Sequence, residues 1–230
     1  MTKCGKKFKK AVELVGKNQV YSAEQAIQKV KEAAYASFDE TVDVDVNLGI
    51  DPTKGEQAVR GAVVLPHGTG KRIKVVVFAR GDHAQAAEKA GADVVGSQDL
   101  ADKIKGGWLD FDFAVATPDM MGVVGKLAKI LGPRGLLPNQ KLGTVTFDIE
   151  QVVKELKSGK SFFKNDKGGL VHFSIGKKSF DEQKLQDNLQ VFVKALVSSK
   201  PAASKGKFIR KVTISSTMGV GLQINAEGIV

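Results

Sequence analysis

Between Thr41 and Ile50 the chain alternates without a break. Val42, Val44, Val46, Leu48 and Ile50 are apolar, and Thr41, Asp43, Asp45, Asn47 and Gly49 separate them. Successive side chains of a strand point to opposite faces. The segment therefore reads as a strand with one buried face and one wet, acidic face. That acidic face is expected to turn away from any polyanion. Asp51-Pro52 ends the strand, and Val59 to Leu65 reads as its partner. The texture then changes. Ile73-Lys-Val-Val-Val-Phe-Ala79 is almost continuously apolar, as in a parallel strand buried on both faces. The two strand types predict two separate sheets.

The remaining elements sort around these two strands. Ser22-Ala-Glu-Gln25 is a capping-box pattern, and Ala23, Ala26, Ile27, Val30, Ala33 and Ala34 follow at helical spacing. After Ala79, short helices are expected at Ala84 to Ala90 and Asp99 to Lys105. Short strands are expected at Asp93 to Val95 and Phe111 to Ala116. Pro118 should start a helix that ends at Gly132-Pro133, and Ile149 to Leu156 another. Lys160 to Lys164 and Leu170 to Ile175 read as strands joined by a hairpin-like turn, Asn165-Asp-Lys-Gly-Gly169. Leu185, Leu189, Phe192, Val193 and Leu196 form a helical stripe, and Lys207 to Ser216 is a last strand.

The outer segments share a strand-pair-plus-helix style, and the middle alternates strand and helix. The expected class is α/β in two domains. The first is a discontinuous α+β domain with antiparallel strands, residues 1–67 and 160–230. The second, residues 68–159, is an inserted Rossmann-like α/β domain. The crossings Pro66-His67-Gly68-Thr69-Gly70 and Ser158-Gly159-Lys160 are expected to act as a hinge.

Charge narrows the choice of partner. The 230 residues hold 35 Lys+Arg against 25 Asp+Glu, a net +10. Residues 160–230 alone hold 12 basic and 5 acidic side chains, and the first 20 residues hold six lysines and one acid. Positive charge at both ends of a chain suggests RNA or DNA. Cys4 is the only cysteine, so an internal disulfide and a cysteine-rich zinc site are excluded. No run of about 18 apolar residues occurs, and no apolar stretch follows the basic start. A cytoplasmic location is expected, with no membrane association.

Enzyme signatures are weak. Gly159-Lys160-Ser161 ends like a phosphate-binding loop, but Lys154 occupies the glycine position and the helix-strand order is reversed. Gly70-Lys71 fails likewise, with Leu65 at the glycine position and Arg72 in place of Ser or Thr. No G-x-G-x-x-G follows a strand in the middle unit. His67, His83 and His172 have no ligand-spaced neighbours. The chain is therefore expected to be no enzyme, with no cofactor and no metal.

Nucleic-acid contact has better candidates. Lys164 and Lys167 flank a turn, and His172 follows in a basic strand pair. Thr217-Met218-Gly219 is a small tripeptide just after a strand. Gly219 would admit an RNA backbone, and the Thr217 hydroxyl would read a ribose 2′-OH. Met218 equally suits core packing. Phe38 suits either a core plug or an exposed stacking surface. In Gly132-Pro-Arg-Gly-Leu-Leu-Pro-Asn139, Arg134 could touch a phosphate, or Leu136 and Leu137 could simply plug the domain.

Together these strings resemble the ribosomal protein L-one family. They are Phe38-Asp-Glu-Thr-Val42, Leu48-Gly-Ile-Asp-Pro52, Val59-Arg-Gly61, Leu65-Pro-His-Gly68, Ala116-Thr-Pro-Asp-Met120, the 132–139 string, Asn165-Asp-Lys167 and Thr217-Met-Gly219. The resemblance runs from about Lys6 to Asn225. Ser37 stands where relatives often carry a basic residue, and Gln140 where proline is common. The resemblance implies a two-domain protein on the ribosome, bound to a folded region of large-subunit ribosomal RNA. There it would form a mobile stalk and assist release of deacylated tRNA at the exit site. It also implies repression of its own operon through the mRNA leader. RNA-binding residues carried over are Phe38, Thr41, Lys164, Lys167, His172, Thr217, Met218 and Gly219. No homo-oligomer is expected. Two other classes remain: a nucleotide-dependent enzyme using the middle domain, and a general RNA chaperone without sequence preference.

Overall fold

In chain order, helix α1 (Lys6–Val15), strand β1 (Val20–Tyr21), helix α2 (Ala23–Ala33), and strands β2 (Thr41–Leu48) and β3 (Arg60–Val64) come first. Then follow β4 (Val75–Phe78), α3 (Asp82–Lys89), β5 (Val94–Gly96), α4 (Gln98–Lys105), β6 (Phe113–Ala116), α5 (Met121–Lys126), α6 (Ala128–Leu131) and α7 (Ile149–Lys157). The chain closes with β7 (Lys160–Lys164), β8 (Leu170–Lys177), α8 (Glu182–Ser198), β9 (Ile209–Ser216) and β10 (Leu222–Ile224). This computed structural model describes residues 5–16, 19–204 and 206–225. Cys4, and Lys3 and Lys17 of the basic amino-terminal stretch, lie outside the described residues. The chain divides into two units, one of Met1–Gly70 with Ser161–Val230 and one of Lys71–Lys160.

In the first unit a five-stranded sheet has the order β1-β10-β9-β2-β8. The central strand β2 pairs antiparallel with both β8 and β9. Its burial alternates residue by residue, as its sequence does. Val42, Val44, Val46 and Leu48 are at most 2% exposed, each contributing about 1.5–3 kcal/mol through burial. They face a core completed by Ile27 and Val30 of α2 and by Leu185, Leu189, Phe192 and Leu196 of α8. Ser22 caps α2 by accepting from the Gln25 amide at 3.4 Å. Phe173 of β8 stacks on Phe192 at 4.2 Å, and Phe163 of β7 meets both edge-on.

Three strand expectations need correction. The strand ending at Ser216 is not the last, since β10 follows it. Val59 to Leu65 does not pair with β2; β3 pairs with β7 in a separate two-stranded sheet. Gly61 lets this pair sit against the core, because a Cβ there would lie 2.5 Å from the Phe163 ring. For the same reason β7 and β8 are no regular hairpin. The turn between them carries a single bridge, Asn165 to Val171, and hands the chain from one sheet to the other. Asn165 directs the change: its side-chain oxygen accepts from the Val59 amide at 2.8 Å, and its own amide donates to the Val59 carbonyl.

In the second unit β4 lies between β5 and β6, parallel to both. All four residues of β4 are buried, as the apolar run requires. The helix expected from Pro118 to Gly132 is broken. A 3₁₀ turn (Pro118–Met120) precedes α5, and the chain tightens again before α6, where the Leu127 amide donates to Val124 at 2.9 Å. Gly122 and Gly125 weaken the segment as a continuous helix, each at about 1 kcal/mol relative to alanine. In the loop after α6, Leu136 and Leu137 pack on the core while Arg134 stays exposed.

The segment leaving β3 is held by one buried side chain. Asn188 of α8 is fully buried. Its oxygen accepts from the His67 amide at 3.3 Å, and its nitrogen donates to the carbonyls of Gly68 (3.0 Å) and Ile175 (2.7 Å). Asn188→Ala should strand these backbone groups and destabilise the first unit by about 2–4 kcal/mol, read as a lower urea midpoint. Asp187→Ala removes only an exposed pair with His67 and should shift the midpoint by less than about 1 kcal/mol.

Candidate nucleic-acid interface

One face of the five-stranded sheet is packed and the other is open. Strand alternation puts Thr41, Asp43, Asp45 and Asn47 of β2 on the open face. Cross-strand register sets Ser174 and Ser215 beside Asp43, and His172 and Thr213 beside Asp45. Leu170 and the exposed Lys211 flank Asn47. A bulge in β8 opposite Val42 and Asp43 turns Lys177 onto this face. There its ammonium donates to the Thr41 hydroxyl at 2.9 Å.

The acidic face of β2 is thus the face that carries the candidates Thr41 and His172. Its carboxylates are occupied. Asp43 accepts from the Ser174 hydroxyl at 2.7 Å, and Asp45 lies 2.6 Å from His172 Nδ1. Asp166 lies 3.8 Å from the other ring nitrogen. The hydrogen bond to Asp45 leads in raising the His172 pKa, and Asp166 adds to it.

The candidate residues fall into three places along this face. Phe38, Thr41, Thr217, Met218 and Gly219 gather at one end, where the Thr41 backbone pairs with Lys177 and Thr217. His172 lies midway. Lys164 and Lys167 sit at the turn before β8, at the far end; Thr41 and Asn47 are six residues apart, about 20 Å along a strand. Both lysines are exposed. Asp166 shapes the turn by accepting from the amides of Gly168 and Leu170, each at 2.8 Å. The Leu170 amide leads in holding its carboxyl below the usual aspartate range.

At the Thr41 end the open alternatives resolve. Phe38 is 53% and Met218 51% exposed, so neither is a core plug. Their loops are tightly tied. The Thr217 amide donates to the Thr41 carbonyl at 3.0 Å. The Thr217 hydroxyl accepts from the Thr41 amide at 3.0 Å and donates to the Thr41 carbonyl at 3.3 Å. A hydroxyl has one donor and two acceptor sites, so a single acceptor site is left to face outward. Gly219 has a reason inside the protein. A Cβ there would lie 2.3 Å from the Ser216 hydroxyl oxygen, so a side chain would force that hydroxyl to turn away.

Sequence reasoning missed Lys211, Lys177, Ser174 and Ser215 on this face. Period-two alternation through β9 could have found Lys211 and Ser215. Lys177 was hidden, because only the bulge reverses its side.

Thr217→Val should therefore cost about 0.5–1.5 kcal/mol of stability, visible as a lower urea midpoint even without a ligand. A pH dependence follows from His172. Its folded pKa is raised, so the pair with Asp45 contributes fully below the unfolded value of about 6.5 and is lost as pH rises through the folded value. An NMR titration should find His172 above about 6.5, and Asp45→Asn should move it down.

The model of the Ribosomal protein L1p/L10e family matches residues 30–220. The match includes β2, β8, β9, both exposed loops and the whole second unit. It covers well over half of the chain, including every candidate contact residue named above. The chain belongs to the Ribosomal protein L1p/L10e family, whose members are structural RNA-binding proteins of the large ribosomal subunit and not enzymes.

Proposed function

We propose that the open face of the five-stranded sheet, with the loops at its Thr41 end, binds the stalk region of large-subunit ribosomal RNA. The observation that carries this reading is the exposure of Phe38 and Met218 on loops tied down by protein hydrogen bonds. An aromatic face held rigidly outward is what an unstacked base needs. Beside it the Thr217 hydroxyl keeps one acceptor site for a ribose 2′-OH, a group DNA lacks. His172, held toward its charged form, and the exposed Lys164, Lys167 and Lys211 supply phosphate contacts along the face.

In this reading the first unit is the RNA-binding domain, and the second is a Rossmann-like insertion. The protein forms the mobile stalk beside the tRNA exit site and assists release of deacylated tRNA. The same face takes the leader of its own operon's mRNA, which imitates the ribosomal site, and so represses translation. It acts in the cytoplasm as a single copy, with no cofactor or metal.

The hydrogen-bonding and stacking contacts at the Thr41 end favour specific recognition over general chaperone binding, which needs only charge. Filter binding of the full chain to stalk-region ribosomal RNA, the operon leader and bulk tRNA tests this. Both specific RNAs should outcompete bulk tRNA. Phe38→Ala should weaken stalk-RNA binding by about tenfold to a hundredfold, the worth of one stacked base, with the salt slope unchanged. Lys164→Ala and Lys167→Ala should each lower the salt slope by about one unit, because each leaves one phosphate without its cation. Equal affinity for all three RNAs, with a purely salt-driven loss, would overturn the assignment.

A further inference from the structure

At the Thr41 end of the sheet lies one carboxylate that touches no solvent. Glu40 is fully buried, a costly place for a charge unless hydrogen bonds compensate. One carboxylate oxygen accepts from the Ala36 amide at 2.8 Å, closing the loop that carries Phe38. The other accepts from the Met218 amide at 3.1 Å. The Glu40 carbonyl also accepts from the Lys178 amide at 2.8 Å. A second tether acts on the same loop: the Tyr35 hydroxyl donates to the Met218 carbonyl at 2.8 Å. Both backbone polar groups of Met218 are therefore bonded to the segment that carries Phe38.

Segments 35–40 and 216–219 are far apart in sequence, and both side chains they present are more than half exposed. Exposed side chains gain little from packing, so their relative placement must come from the backbone beneath them. We propose that Glu40, assisted by Tyr35, is the positioning residue of the RNA-binding face, locking the Phe38 loop and the Met218 loop into one rigid recognition edge. This rests on the reading of that face as the RNA site. Burial pushes the Glu40 pKa up, but the Ala36 and Met218 amides and the Lys178 ammonium help hold it below the usual glutamate range. The charged, doubly accepting form is thus the one present at neutral pH.

The charge gives the test its sign. A carboxylate acting only through its field would repel RNA, so removing it would tighten binding. A positioning carboxylate does the reverse. Glu40→Gln keeps the shape but turns one acceptor into an N–H donor facing an amide N–H. Tyr35→Phe removes the second tether while keeping the half-buried ring on the core, and keeps the assay informative should Glu40→Gln fold poorly.

Affinity for transcribed stalk-region ribosomal RNA is measured by filter binding on the full chain, across a salt series and beside bulk tRNA. Glu40→Gln should weaken stalk-RNA binding by about tenfold to a hundredfold, and Tyr35→Phe by a smaller factor. Bulk tRNA binding and the salt slope should be unchanged. In a Met218→Ala background, Glu40→Gln should cost much less than it does alone, because both act through the same loop. The proposal is overturned if Glu40→Gln and Tyr35→Phe bind as the unmodified protein does while Phe38→Ala and Met218→Ala bind weakly. It is also overturned if the Glu40 and Met218 penalties add in full. Unchanged binding by Phe38→Ala and Met218→Ala would instead overturn the RNA-face reading, and the positioning role with it.

Discussion

The sheet end where β2 begins depends on a charge kept out of water. Glu40 follows the Phe38 loop and precedes the first residue of the central strand, and its two oxygens reach backbone amides on either side of the sheet end. Its neighbours repeat the device. The Asp39 carboxylate takes the amide and hydroxyl of Ser179, and the Thr41 backbone takes both the amide and the hydroxyl of Thr217. Three consecutive residues thus tie the entry to β2 to the turn after β8 and to the loop after β9. Most of these bonds run to backbone, so they order the loops without occupying the outward face of Phe38 or Met218.

The sheet beneath that edge reconciles two opposed demands. Its apolar face must pack on α2 and α8, and in the proposed reading its open face must meet a polyanion in spite of Asp43 and Asp45. Local pairing answers the second demand. Ser174 donates to Asp43, and His172 sits against Asp45 with a raised pKa. A carboxylate already hydrogen-bonded to a hydroxyl or an imidazolium repels phosphate less than a bare one does. Asp45 and Asp166 give the His172 ring a fixed place on the open face.

Family membership covers the ribosomal, RNA-binding role and sets aside catalysis. The geometry adds physical causes for individual residues. Gly219 lies against the Ser216 hydroxyl within its own turn, an internal reason for a small residue there. Thr217 is a clamp on β2, through its amide and hydroxyl. Phe38 and Met218 are exposed because neighbouring segments hold their backbones, leaving the side chains unburied.

Much of the architecture was legible in residue order alone. The period-two alternation of Val42 to Leu48 dictated a half-buried strand, and the unbroken apolar run at Val75 to Phe78 dictated a fully buried one. Spacing and caps located α2 and α8, because amphipathic periodicity is a local property. The contact candidates were also legible, as strings whose likeness to one family could be read without coordinates. What residue order could not supply was pairing. β3 joined β7 instead of β2 because Asn165, more than 100 residues away, bonds Val59. The side of the sheet that Lys177 faces was decided by a bulge. The bond of Glu40 to Met218 joins positions 178 residues apart. Composition and periodicity act over a few residues, and so they determined the elements. Hydrogen bonds between distant segments exist only once those elements have met, and they alone decided which loops share an edge.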